Sequence, residues 1–108
     1  QRVPSLGLPS RARGVVELYD AATDWIPIYD KSSLPGFYMA CGTSGNQYKN
    51  APVAGRLMAA LIDYCESGED HDTYPLTFRF GHIDREISTG FFSRKRDINK
   101  QSSFSVLG

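Results

Sequence analysis

The chain has 108 residues, 41% of them hydrophobic, which is the size of one domain or of part of one and allows a single hydrophobic core. Twelve basic residues balance twelve acidic residues, so the zero formal charge provides no basic field that would attract nucleic acid. No apolar run approaches the length of a membrane span, and the opening QRVPSLGLPSRARG lacks the apolar core of a signal peptide. We therefore expect a cytoplasmic protein without a membrane span or a nucleic-acid partner.

Residues 1–13 are predicted to form a linker-like segment. They contain prolines, serines and a glycine and show no hydrophobic period. The chain also begins without methionine, and we expect it to be a fragment of a longer protein.

Three strands are predicted before the first helix. The first covers residues 15–19, where successive side chains would point to opposite faces. The second covers residues 26–29, and Pro27 within it favours an edge strand or a bent one. The third covers residues 37–41, which are apolar at nearly every position, as in a strand covered on both faces.

A helix over residues 51–65 is the clearest element, because two adjacent apolar stripes follow the helical period. The stripes are Val53, Leu57, Leu61 and Tyr64, and Ala54, Met58, Ile62 and Cys65. Asn50 can cap the helix, Pro52 is tolerated in its first turn, and Gly68 can end it. Gly55 is expected to permit close packing.

The chain after the helix is predicted to be more irregular. SGEDHD indicates a solvated acidic loop, and LTFRF indicates a short extended piece. From residue 84 the sequence is compatible with an amphipathic helix broken at Gly90, and SSFSVLG with an extended terminus. The basic run at residues 94–96 fits a solvated helix face, with a docking tail as the alternative.

The two cysteines are expected to be buried free thiols. Neither a disulfide nor a metal-binding spacing connects Cys41 and Cys65. The intervening helix would separate them by about 20 Å. A disulfide requires alpha carbons within about 7 Å.

The segment CGTSGNQYK, residues 41–49, connects the third predicted strand to the helix. It holds two glycines, two hydroxyls, two amides and a lysine at the start of a helix, where unpaired backbone N–H groups favour an anion or a polar ligand edge. A glycine-rich turn that only lets the helix pack on the strand is the alternative. The segment lacks the glycine spacing of a dinucleotide fingerprint, and no GxGxxG occurs in the chain.

Three motifs occur in order along residues 14–68: LYDAATDWIPIYD, LPGFYMACGTSGNQYK and APVAGRLMAALI. Together they resemble the C-terminal part of the FAD-dependent amine and amino-acid oxidoreductases, which include sarcosine oxidase, dimethylglycine dehydrogenase, glycine oxidase and D-amino-acid dehydrogenase. The resemblance implies an α/β fold, namely a fragment of an FAD-binding Rossmann-like domain plus part of an antiparallel substrate-domain sheet. Residues 69–108 would then form a C-terminal extension.

The same resemblance implies a site at the pyrimidine end of the flavin. The loop residues that would line the flavin are Gly42, Thr43, Ser44, Gly45, Asn46 and Gln47. Lys49 matches a lysine that helps to hold a substrate carboxylate, and Tyr19 matches a position that borders the substrate pocket. Without the resemblance, Lys49 would be interpreted as a surface lysine that caps a loop, and Tyr19 would equally fit a tyrosine at the edge of a core. Asp24 is expected to fix its turn by accepting backbone N–H bonds.

The implied reaction is oxidation of the C–N bond of a secondary or tertiary amino acid, sarcosine-like, or of a D-amino acid. Glu17 stands where some members of the family attach flavin through cysteine, so the implied FAD is non-covalent. This chain holds one wall of such a site, and we expect it to be inactive without the missing N-terminal part. A non-catalytic structural or interaction module is the alternative.

Self-association of the isolated chain is also expected. The strand over residues 37–41 and the helix after Asn50 are apolar on most sides. Exposed apolar surface of that extent drives association. A dimer or higher oligomer would bury this surface against a second copy.

Overall fold

The computed structural model describes residues 5, 7, 10, 11, 13–45 and 47–102. Within these residues it contains one α-helix and two small antiparallel sheets of two strands each, which form a small mixed α/β domain. The predicted mixture of helix and strand is thereby confirmed. No helix in the described ranges is long and apolar enough to cross a membrane.

The first sheet pairs β1 (Ile28–Lys31) with β2 (Tyr38–Cys41) in antiparallel register. The strand predicted at residues 26–29 thus starts two residues later, after Pro27, whose missing N–H cannot join a ladder. The strand predicted at residues 37–41 is confirmed, but burial on both of its faces is wrong. The last two residues of β2 are exposed, because β1 is the only strand that pairs with it among the described residues.

The strand predicted at residues 15–19 is wrong. Residues 13–20 belong to no strand, and the nearest sheet-like contact is an isolated antiparallel bridge between Ala21 and Thr43. Alternation of side chains is insufficient for a strand, since the backbone also needs a partner along its edge. None of the described strands lies beside residues 15–19.

The predicted helix is confirmed as α1 (Ala51–Glu66). Pro52 lies in its first turn, and the chain leaves the helix at Gly68, which has a φ of 91° and donates its N–H to the Cys65 carbonyl at 3.1 Å. A positive φ carries little strain for glycine, which explains this residue at the helix end.

Two details predicted for the helix are wrong. Asn50 occupies the capping position, yet its side chain makes no capping bond and instead donates to the Gln47 side-chain oxygen at 2.8 Å. Gly55 has open space around it, since a Cβ added there would meet nothing within 4 Å. Close packing against Gly55 is therefore absent from the described structure.

After α1, the second sheet pairs β3 (Thr77–Arg79) with β4 (Glu86–Ser88), followed by a 3-10 turn over Thr89–Phe92. The extended piece predicted at LTFRF is confirmed by β3. The amphipathic helix predicted after residue 84 is wrong, because this stretch returns along β3 as the second strand of a hairpin. The terminus predicted over residues 102–108 lies, after Ser102, outside the described residues.

One hydrophobic core connects both halves of the chain. Tyr29 of β1, Leu57 of α1 and Phe78 of β3 are buried together. Partly buried neighbours pack around them: Ala54, Met58, Ala60, Phe80, Ile87 and Phe92. The described residues after position 68 therefore share the core of those before it.

Candidate functional site

Asp20 holds the inner part of the loop after β2. Its carboxylate accepts hydrogen bonds from the Gly42 N–H, from the Thr43 N–H and from the Thr43 hydroxyl, the last at 3.0 Å. Its carbonyl accepts the Ser44 N–H at 2.8 Å. The bond from Gly42, followed by that from the Thr43 hydroxyl, lowers the pKa of Asp20. Sequence reasoning missed this residue, although it directly follows Tyr19 in the first motif.

Ser44 is fully buried and shapes the same turn. Its hydroxyl donates to the Gly42 carbonyl at 3.1 Å and accepts the Ala22 N–H at 3.2 Å. Ser44 has a φ of 56°, between Gly42 at 66° and Gly45 at 76°. The polar groups of Gly42, Thr43 and Ser44 thus largely serve to hold the loop together.

The outer part of the loop borders a groove of about 840 Å³. Its polar rim consists of Gly45, Gln47, Tyr48, Lys49 and Asn50. The remaining walls are apolar or aromatic: Trp25, Ile26, Pro27, Tyr29, Val53, Ala54, Leu57, Phe80, Ile87, Phe91 and Phe92. The groove therefore combines a loop edge at the start of a helix with an aromatic interior.

Three of the predicted site residues, Gly45, Gln47 and Lys49, meet at this groove. Tyr19 lies beside them, because a Cβ added to Gly45 would come within 3.2 Å of the Tyr19 ring. Asn46 lies outside the described residues. Tyr19 thus lies beside the segment that ends at Lys49. Gly45 of this segment lies next to the Tyr19 ring and lines the same groove as Lys49.

Asp24 forms a buried ion pair that supports the groove wall. Arg96 donates to both of its carboxylate oxygens, at 3.0 and 2.7 Å, and the Ile26 N–H donates to one of them at 3.2 Å. The hydrogen bond from Arg96 outweighs the effect of burial and lowers the pKa of Asp24 to about 2. The predicted turn-fixing role of Asp24 is confirmed, whereas the solvated face predicted for residues 94–96 is wrong at Arg96.

A second ionic cluster connects Asp30 of β1 with Arg94 and Asp72. Arg94 donates to the fully buried Asp30 at 3.0 Å and to both oxygens of Asp72, at 2.9 and 3.0 Å. The hydrogen bonds that Asp72 accepts, first from Arg94 and then from Lys95, outweigh burial and lower the pKa of Asp72. The acidic loop is therefore only partly solvated, contrary to the prediction, because Asp72 pairs with Arg94 and its neighbour His71 is buried.

His71 is part of this cluster and is held in one neutral tautomer. Its Nδ1 accepts the Leu76 N–H at 3.1 Å, so the proton of the neutral ring lies on Nε2. Nε2 is 3.4 Å from the Asp30 carboxylate but makes no hydrogen bond in the described part of the chain. Burial lowers the pKa of His71, although Asp30 and Asp72 act in the opposite direction.

The burial of His71 predicts a loss of stability on acidification. The unfolded chain takes up a proton as the pH falls below about 6.5, whereas the folded chain, with its lowered pKa, resists it. The free energy of unfolding should fall by up to about 1.36 kcal/mol per pH unit below that value. His71→Asn, which keeps an acceptor for Leu76, should remove this dependence in urea unfolding between pH 7 and pH 5. The exposed His82→Asn is the control, and an unchanged slope in His71→Asn would contradict the assignment.

Both cysteines are free thiols, as predicted, but Cys41 is exposed and Cys65 only partly buried. The prediction of burial is thus wrong for Cys41, which is the last residue of β2. Burial raises the pKa of Cys65. Over the described ranges, no group of three or more acidic, histidine or cysteine side chains is arranged to hold a metal ion.

The groove can receive a flat aromatic molecule with a polar edge. Its aromatic walls would cover the ring faces, while the loop side chains and the start of α1 would meet polar atoms at the rim. Lys49 is exposed there and can pair with an anion. Comparison of the chain with protein-family models, with curated proteins and with solved structures finds no match.

Proposed function

We propose that the chain is the C-terminal part of an FAD-dependent amine or amino-acid oxidoreductase of the cytoplasm. A preceding part of the same protein would supply the remainder of the Rossmann-like FAD domain. The observation that carries the proposal is the groove at the junction of loop and helix, where the residues suggested by the motif resemblance meet an aromatic interior. A small-molecule amine or amino acid would be its substrate.

The residues that fit a flavin are those of the outer loop. Gly45 and Gln47 lie at the rim, and the dipole of α1, whose first turn follows, would favour negative charge on the pyrimidine ring. The N–H groups of Asn50 and Ala51 already bond to carbonyls of the preceding turn, so the contribution of the helix would be its dipole. The inner residues, Gly42 to Ser44, are largely occupied by Asp20 and would shape the loop rather than bind the cofactor. FAD, when bound, supplies the acceptor for the hydride removed from the C–N bond.

Lys49 would position the substrate in this arrangement. Its ammonium is a compact charge at the groove rim, suited to a carboxylate. Tyr19 would border the substrate pocket, and its packing against Gly45 would restrict movement of the loop there. Orientation and charge are thus the contributions of this chain, and the reaction needs the complete protein.

A non-catalytic structural or interaction module is the second candidate. It is favoured by the bonds between Asp20 and the loop, since the turn is held by the chain itself and needs no ligand to order it. Flavin content of the complete protein separates the two candidates.

The test is to express the encoded protein together with any residues that precede Gln1. We expect the visible absorption of oxidised flavin, and we expect acid precipitation to leave that flavin in the supernatant, because Glu17 cannot form a thioether. The 108-residue chain alone, as the control, should not retain flavin on gel filtration. Flavin in the acid pellet would contradict non-covalent binding, and a colourless complete protein would favour the structural module.

A further inference from the structure

Residues 13–19 belong to no helix, turn or strand, and all seven residues are exposed to solvent. Val15, Val16 and Leu18 are 84%, 95% and 98% exposed. The backbone of residues 13–19 makes no hydrogen bond within the described ranges. Such a segment offers a free strand edge together with apolar side chains. We call residues 13–19 the open segment.

The open segment leaves the domain from a fixed point. Asp20, which follows it, is bonded to the loop through both its carboxylate and its carbonyl, and Ala21 forms a bridge with Thr43. Tyr19, the last residue of the segment, packs against Gly45 and so belongs to the same anchor. The segment is therefore exposed to solvent but anchored at one end, which reduces the conformational entropy that it loses when it pairs with another strand.

We propose that the open segment pairs with the same segment of a second copy, as an antiparallel two-stranded ladder centred on Val15. In this register Val15 lies opposite Val15 of the second copy, and Arg13 lies opposite Glu17. Because the pairing is symmetric, the contact between opposite charges forms twice. Charge complementarity within the segment is thus the reason for choosing a second copy as its partner.

Neighbouring registers lack this complementarity. Centring the ladder on Glu17 would place two carboxylates directly opposite each other, which destabilises a strand pair. Centring it on Val16 would place Glu17 opposite Val15 and leave both charges unmatched. The register centred on Val15 therefore combines an apolar centre with paired charges on both sides.

Charge reversal provides the test, carried out on the 108-residue chain. The sequence-based expectation of self-association places the contact on β2 and α1, so the experiment must separate the two surfaces. Arg13 and Glu17 are both exposed. Either substitution, Arg13→Glu or Glu17→Arg, places like charges opposite one another in the homodimer. We expect the unmodified chain to dimerise at about millimolar concentration in sedimentation equilibrium, and each single variant to dissociate about tenfold more readily.

Restoring the charge pattern should restore the dimer. The double variant Arg13→Glu/Glu17→Arg should dimerise like the unmodified chain, and an equimolar mixture of the two single variants should form a heterodimer. Arg85→Glu, a matched charge change at an exposed site in the second hairpin, should have no effect. A monomeric unmodified chain, or a dimer that ignores these reversals, would overturn the proposal. Neither outcome bears on flavin binding, which is measured on the longer protein.

Discussion

Asp24→Asn is expected to lower the free energy of unfolding by about 3–5 kcal/mol, as is usual when one partner of a buried ion pair is removed. The substitution keeps the shape of the side chain but leaves the Arg96 guanidinium, bonded to both oxygens of Asp24, without its counter-charge. The hydrogen bond from the Ile26 N–H is weakened as well. Urea unfolding followed by circular dichroism at neutral pH measures the loss.

The control for Asp24 is an exposed ion pair in the same chain. Asp84 pairs with Arg79 at the hairpin between β3 and β4, and both side chains are largely exposed. Asp84→Asn should change the free energy of unfolding by less than about 1 kcal/mol. Equal losses for the two variants would show that the burial of the Asp24–Arg96 pair has little energetic effect.

If the complete protein is the proposed oxidoreductase, Lys49→Met is expected to lower its kcat/KM about tenfold to a hundredfold with a carboxylate-bearing substrate. A charge-assisted hydrogen bond in a partly desolvated site is worth roughly 1.5–3 kcal/mol, and methionine keeps much of the stem while removing the charge. Flavin content should hardly change. Steady-state kinetics with an amino acid and absorption spectra of the purified variant provide the measurements.

A substrate without the carboxylate is the control for Lys49. With a simple amine, the same replacement should cost little, because no anion is left unpaired. Equal losses for both substrates, or loss of the flavin, would show that Lys49 supports the loop or the cofactor instead. A matched change at the exposed Lys95, which pairs with Asp72 away from the groove, should leave both rates unaltered.

The helix was the most predictable element, because its signal is local and repeated. Apolar residues recur with the helical period from Val53 to Cys65, and the flanking Pro52 and Gly68 act within the same segment. The strands of the first sheet were predictable for a related reason, since short apolar runs are bounded by the loop between them. The deviation at β1 follows from a single residue, Pro27.

The ionic contacts were beyond sequence reasoning. Arg96 meets Asp24 across 72 positions, and Arg94 meets Asp30 across 64. A basic run has the same local pattern whether it is solvated or folded back onto buried carboxylates, so its partners appear only in three dimensions. The second strand of the later hairpin, β4, was missed because its three residues are too few to distinguish a period of two from one of 3.6.

The candidate site was predictable in part. The loop that borders the groove was identified from its glycines and its place before α1, and Gly45, Gln47 and Lys49 do line one cavity. The role of Asp20 was missed, because an aspartate beside a motif gives no sign of which backbone groups it will accept. Its bonds divide the loop into an inner part that holds its own shape and an outer part that faces the groove.

Trp25 gives the groove a built-in optical probe. It is the single tryptophan of the chain, and it lines the groove. Its backbone N–H donates to the Ala22 carbonyl at 3.0 Å, and its φ is 61°. Intrinsic tryptophan fluorescence therefore arises from one place, next to the Asp24 ion pair and at the wall of the candidate site. Its emission reports on whatever enters the groove without any label, and quenching by an isoalloxazine ring would be a signal from that wall alone.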